Sequence, residues 1–174
     1  MSNDLKAMET AAATIDANEL YDLASCYAHG EGVEQSFEKA VELYREAARL
    51  GSDDALFALA HCYADGKGVL KSPEKAAELY RELAARGFVY AQHNLGVCYR
   101  NAEGVPQSDE LAVKYWEMAA AQDFSLSLYN LAECYEKGCG VPQSPEKALE
   151  YYEKAALRGD PQAKEALKRL GKAN

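Results

Sequence analysis

Shifting the chain against itself by 36 residues brings like onto like over four successive segments, with no insertion or deletion. Under that shift Cys26 becomes Cys62, Cys98 and Cys134, and Tyr27 becomes Tyr63, Tyr99 and Tyr135. Gly32, Gly68, Gly104 and Gly140 coincide, as do Val33, Val69, Val105 and Val141, and Ser36, Ser72, Ser108 and Ser144. Tyr44, Tyr80, Trp116 and Tyr152 form a further column. Self-similarity at a period between roughly 20 and 50 residues is the mark of stacked supersecondary units. Each unit buries its apolar face against its neighbours, so the core is built along the stack and not around one centre.

The stretch 55–87 shows what one unit is. Taking ~100° per residue, Ala55, Leu59, Ala60, Cys62 and Tyr63 fall on one arc, which predicts a helix from about Asp54 to Asp65. Gly66-Lys67-Gly68 stops it, since glycine accepts the left-handed conformation of a helix end. Val69 is expected to turn back into the core. Ser72-Pro73-Glu74 then opens a second helix as N-cap, first helical residue and dipole-matched carboxylate. Ala76, Ala77, Leu79, Tyr80, Leu83 and Ala84 are its buried stripe, and Gly87 closes the unit.

Four such units are expected over 19–54, 55–90, 91–126 and 127–162. Residues 1–18 form an N-terminal capping segment, with 3–15 a degenerate helix, and residues 163–174 form a C-terminal capping helix introduced by Asp160-Pro161. In that last helix Lys168 and Gly171 stand where the repeats carry alanine and tyrosine, as suits the end of a stack. The third unit departs most. Ala102 replaces a loop glycine, Asp123 the closing glycine and Leu111 a lysine; Asn101 and Asp123 are residue types that tolerate positive φ, so the same fold is expected there with looser turns.

The pattern of Ala55, Leu59, Ala60, Tyr63, Gly66, Gly68, Val69, Lys75-Ala76, Tyr80 and Gly87, which recurs in all four units apart from the departures of the third, resembles the Sel-1-like repeat family, a relative of the tetratricopeptide repeat. The resemblance covers roughly residues 19–170. It implies scaffolds and adaptors of protein complexes, with some secreted, disulfide-paired members linked to penicillin binding or β-lactam hydrolysis.

The expected architecture is an all-α solenoid, a right-handed α/α superhelix of four 36-residue helix-turn-helix repeats with partial capping repeats at both ends. A net charge of −9 disfavours nucleic acid and anionic membrane surfaces as partners, while a basic or neutral peptide suits it. The N-terminal residues carry no secretory pattern and no apolar run approaches ~20 residues, which points to a cytoplasmic chain.

Chemistry is sparse. Four of the five cysteines occupy one repeat position, where stacking separates them by ~8–10 Å, beyond the reach of a disulfide. They read as small core hydrophobes, and no zinc spacing occurs. This departs from the disulfide-paired relatives, which carry two cysteines per repeat. Cys139, between Gly138 and Gly140, is expected to be an exposed thiol. The three histidines, His29, His61 and His93, lie on different repeats, and no nucleophile–base motif is present. No catalytic residue, metal or cofactor is expected.

The face of each first helix opposite the core carries Tyr21, Phe57, His93 and Tyr129 in one column, with Asn94 and Asn130 beside it. His61 and Arg100 follow one and two turns later in their units. In the resembled tetratricopeptide geometry this face lines a concave groove. Tyr21, Phe57, His61, His93, Asn94, Arg100, Tyr129 and Asn130 are therefore the candidate contacts of a non-enzymatic, monomeric adaptor for another protein or peptide. The rings would grip apolar side chains and the amides would hydrogen-bond a ligand backbone. Stacking of those rings on neighbouring repeats is the competing reading. A β-lactam hydrolase and a structural spacer are the alternative functions.

Overall fold

The computed structural model describes residues 16–172, and every regular element among them is an α-helix. In chain order these are α1 (Ala17–His29), α2 (Phe37–Arg49), α3 (Asp53–Asp65), α4 (Pro73–Ala85) and α5 (Val89–Asn101), then α6 (Asp109–Ala120), α7 (Ser125–Lys137), α8 (Pro145–Leu157) and α9 (Pro161–Arg169). The chain divides into two compact units, Met1–Leu79 and Tyr80–Asn174. The helix expected over residues 3–15 lies outside the described residues. Residues 17 and 18, assigned by sequence to a capping segment, belong to the first turn of α1. The reason is a capping box: the Asp16 carboxylate accepts from the N–H groups of Asn18 and Glu19, and Glu19 accepts from that of Asp16.

Each first helix stops on a left-handed residue, with φ of 74° at Gly30, 76° at Gly66 and 73° at Gly138. Each of these donates its N–H to the carbonyl of the repeat cysteine four residues earlier. In the third repeat the sequence reading needs correction. Asn101 stays helical and Ala102 itself takes φ 59°, because helix length is set by the stack and the residue that follows must reverse the chain. A β-carbon in that region costs about 1–2 kcal/mol. Asp123 takes φ 61°.

The long turn is closed by one bond made four times. The N–H groups of Ser36, Ser72, Ser108 and Ser144 reach the carbonyls of Tyr27, Tyr63, Tyr99 and Tyr135 at 2.8–3.0 Å. Each serine hydroxyl then caps the second helix, accepting from the N–H groups of Lys39, Lys75, Leu111 and Lys147. The lysine at this position also sits over the repeat tyrosine ring: Lys39 over Tyr27, Lys75 over Tyr63 and Lys147 over Tyr135, at 5.0, 5.2 and 4.9 Å. Where Leu111 replaces it, Tyr99 keeps only its stacking on Tyr115, with centroids 5.6 Å apart, which Tyr135 also makes with Tyr151.

In the first unit Leu20, Leu23, Ala24, Tyr27, Val41, Tyr44, Ala55, Leu59 and Cys62 form one buried cluster, with Val69 packed against its edge. Gly68 shows how tightly successive repeats are registered: a β-carbon there would strike the carbonyl of Phe37. The second unit repeats the device, with Gly140 against the carbonyl of Asp109. The positions that hold alanine in the other repeats (Ala24, Ala60, Ala132) hold Gly96 in the third. There the larger Trp116 replaces tyrosine and its indole lies where a β-carbon would be. Its Nε1–H donates to the His93 carbonyl at 3.2 Å.

Candidate functional site

In the first unit, α1 and α3 carry Tyr21, Phe57 and His61. Tyr21 is half-buried, its ring tilted against Tyr44 at 5.8 Å, and Tyr44 in turn shares a 3.3 Å hydrogen bond with Ser25. Phe57 is half-buried and meets the exposed imidazole of His61 edge-on at 4.7 Å. The surrounding protein desolvates that imidazole and lowers its pKa, with Asp65 opposing the shift.

In the second unit, α5 and α7 carry His93, Asn94, Arg100, Tyr129 and Asn130, and the structure brings some of these together. Arg100 and Asn130 line one cleft of about 210 Å³, with Val97 and Trp116 as its apolar wall and Glu133 at its acidic side. Tyr129 and the same Glu133 line a second cleft of about 430 Å³, completed by Lys137 and, from α9, Gln162, Glu165 and Arg169. Asn94 and Asn130 are half-buried.

His93 has different employment from the expected open ring. Its Nδ1 lies 2.9 Å from the hydroxyl of the fully buried Ser127, and its ring packs edge-on against Phe124 at 5.2 Å. Burial pushes its pKa down to about 4, so it is neutral at physiological pH. Tyr129 pairs with Tyr152 at 5.8 Å, within its own repeat.

Arg100 is held by charge. Its Nη1 lies 3.2 Å from Asp109 Oδ1; both atoms are sealed from water and neither is aligned for a hydrogen bond. Cys139 is half-buried and not the exposed thiol expected. Cys62, Cys98 and Cys134 are buried and free, and burial pushes the last two thiols up to about 11. That suits their reading as core hydrophobes. Among the described residues no group of three or more His, Cys, Asp or Glu could hold a metal ion, and no helix is long and apolar enough to cross a membrane.

Sequence reasoning missed Glu133, Lys137 and the α9 residues. Glu133 was visible as the fourth member of the column Ser25, His61, Val97, Glu133, but its singular charge carried no signal of its own. It also missed an aromatic edge at the starts of α5 and α7. Phe88 and Phe124 occupy the N-cap positions without a side-chain hydrogen bond, where Ser52 and Asp160 cap α3 and α9. Tyr90, half exposed, touches both rings, at 5.8 and 5.3 Å.

Helix pairs repeated four times, with mixed polar clefts between first helices, define an α/α repeat protein. The Sel1 repeat family model matches residues 20–52, 53–88, 89–124 and 125–160, and the chain belongs to the Sel1 repeat family. That family generally mediates protein–protein interaction and is generally non-catalytic. No curated protein matches the chain. Among solved structures it is similar to a protective antigen of uropathogenic Escherichia coli strains that displays an SLR fold, at 28% identity and TM-score 0.91, covering 95% of this chain and 36% of that one. It is also similar to a Sel1 repeat protein from Oxalobacter formigenes, at 28% identity and TM-score 0.84, covering 94% of this chain and 65% of that one. The chain thus spans about a third and just under two thirds of the lengths of these two relatives. An immunity protein from Pseudomonas aeruginosa shares the fold at 24% identity and TM-score 0.57, covering 92% of this chain and 59% of that one.

Proposed function

We propose that the protein is a non-enzymatic adaptor that holds an extended, neutral or basic segment of another protein on the first-helix face. The observation that carries this reading is the pair of clefts on the second unit that share Glu133. Side by side they offer a cation (Arg100), an amide (Asn130), apolar walls (Val97, Trp116), a carboxylate (Glu133) and a ring (Tyr129). An extended segment needs such alternation: amides for its backbone and apolar and charged recesses for its side chains. Tyr21, Phe57 and His61 present the corresponding face of the first unit, with Asn94 a further amide on α5. The net charge of −9 favours basic or neutral segments.

The test is selection of binders from a randomised peptide display library, followed by calorimetry. Peptides that bind wild type and lose about tenfold or more in affinity to Tyr129→Ala/Asn130→Ala support the reading. Peptides that bind the variant as tightly as wild type place recognition elsewhere and sink it.

A further inference from the structure

We propose that Cys134 and Cys139 form a redox pair, which a hydroperoxide converts into an intramolecular disulfide stapling the last turn of α7 to the loop that follows it. The fourth repeat alone carries two thiols at its helix end. The positions equivalent to Cys139 are Glu31, Lys67 and Glu103, while those equivalent to Cys134 are all cysteine.

The helix stop supplies the geometry. Gly138 takes φ 73° and donates to the Cys134 carbonyl at 2.8 Å; Cys139 N–H reaches that same carbonyl at 3.0 Å. In this type of helix stop a contact between the side chains of the residues bonded across the reversal is frequent. Here both are cysteine, and the disulfide requires their α-carbons to come within ~4.4–6.8 Å across this reversal. Both thiols lie within electrostatic reach of the Arg100 guanidinium.

The two thiols divide the work by exposure. Cys139 is half-buried and reachable, whereas Cys134 is 2% exposed. Cys139 as thiolate attacks one peroxide oxygen, and the O–O bond breaks to leave a sulfenic acid on Cys139 and hydroxide, which takes a proton to become water. The Cys134 sulfur then displaces hydroxide from the Cys139 sulfenic acid. The S–S bond forms, and the Cys134 proton leaves with the hydroxide as a second water. Two thiols lose two electrons and the peroxide gains them. The product leaves no ionisable thiol beside Arg100, whose guanidinium keeps Asp109 and the cleft it lines. That last consequence rests on the interaction-face reading; the disulfide does not.

Lys137 lies between the two cysteines, so trypsin separates them unless a disulfide joins the fragments. The full-length reduced protein is treated with hydrogen peroxide under native conditions, blocked with iodoacetamide, digested and weighed. Expected is a linked pair of fragments carrying Cys134 and Cys139, two hydrogens lighter than their sum. It should exceed every other cysteine pairing by about tenfold, persist in Cys98→Ala and vanish in Cys139→Ser. Cys139 carried on to sulfinic acid with Cys134 still alkylated overturns the proposal. So does a Cys139–Cys139 link between two chains as the main product, and so does an equal yield of other pairings.

Discussion

Replacing Gly96 by alanine sets two physical effects against each other. In an isolated helix the change is favourable, since alanine is better than glycine by about 1 kcal/mol. In α5 the added β-carbon would land on the Trp116 indole, striking Nε1, with Cδ1 at 2.6 Å and Cε2 at 2.9 Å. Trp116 is 3% exposed and hydrogen-bonded to the His93 carbonyl, so the ring cannot swing away without loss. Overpacking of this kind costs about 1–3 kcal/mol, and displacing the indole also breaks its hydrogen bond to His93, worth about 1 kcal/mol. The net expectation is destabilisation by roughly 1–3 kcal/mol, a fall in Tm of about 2–4 °C per kcal/mol for a chain of this size. Trp116→Tyr alone leaves a void and is expected to cost a similar amount. The double variant restores the alanine–tyrosine pairing of the other three repeats and is expected to recover most of the loss, a coupling of about 1–3 kcal/mol. Urea unfolding followed by circular dichroism measures the cycle. Trp116, the only tryptophan, reports the local change by its emission in Gly96→Ala. Additive costs in the double variant would refute the argument that this residue pair is one packing unit.

Further outcomes follow from the same geometry. Ala102→Gly relieves a β-carbon held at φ 59° and is expected to raise stability by about 1 kcal/mol in urea unfolding. Gly140→Ala drives a β-carbon into the Asp109 carbonyl, whereas Gly159→Ala, at φ 90°, enters open space; the first is expected to lower Tm several-fold more than the second. His93 stays neutral in the fold down to pH about 4, while an unfolded histidine protonates near ~6.5. The unfolded chain therefore binds the extra proton between those values, and stability falls as pH drops through that window, by about 1–3 kcal/mol in total. His93→Gln should flatten the Tm-versus-pH profile between pH 7 and 4, and an unchanged slope would contradict this account of the His93–Ser127 pair.

The fold was legible because every repeat restates the same instructions. Serine caps occur four times in one register, and glycine stops and the alanine–tyrosine pairing three times, so local misreadings average out. The misreadings that remained lie where a repeat departs from its fellows. Asn101 is the residue type that tolerates positive φ, yet the stack fixes helix length and Ala102 takes the reversal instead. The site was legible only as a face. Which residues share a cleft depends on partners that the repeat does not restate: Ser127 engages His93, Asp109 holds Arg100, and α9 supplies Arg169 beside Tyr129. Column arithmetic compares like positions, whereas these contacts join unlike ones.

The claim that the first-helix face of the second unit holds a partner segment is tested most directly by photo-crosslinking. A benzophenone side chain placed at position 97, inside the cleft with Arg100 and Asn130, is compared with one at position 70, a leucine 90% exposed. After irradiation in the native lysate, a discrete adduct at 97 mapping to one short segment of one protein, and absent at 70, is the predicted result. Adducts of equal yield and identity at both positions, or a segment captured only at 70, would contradict it.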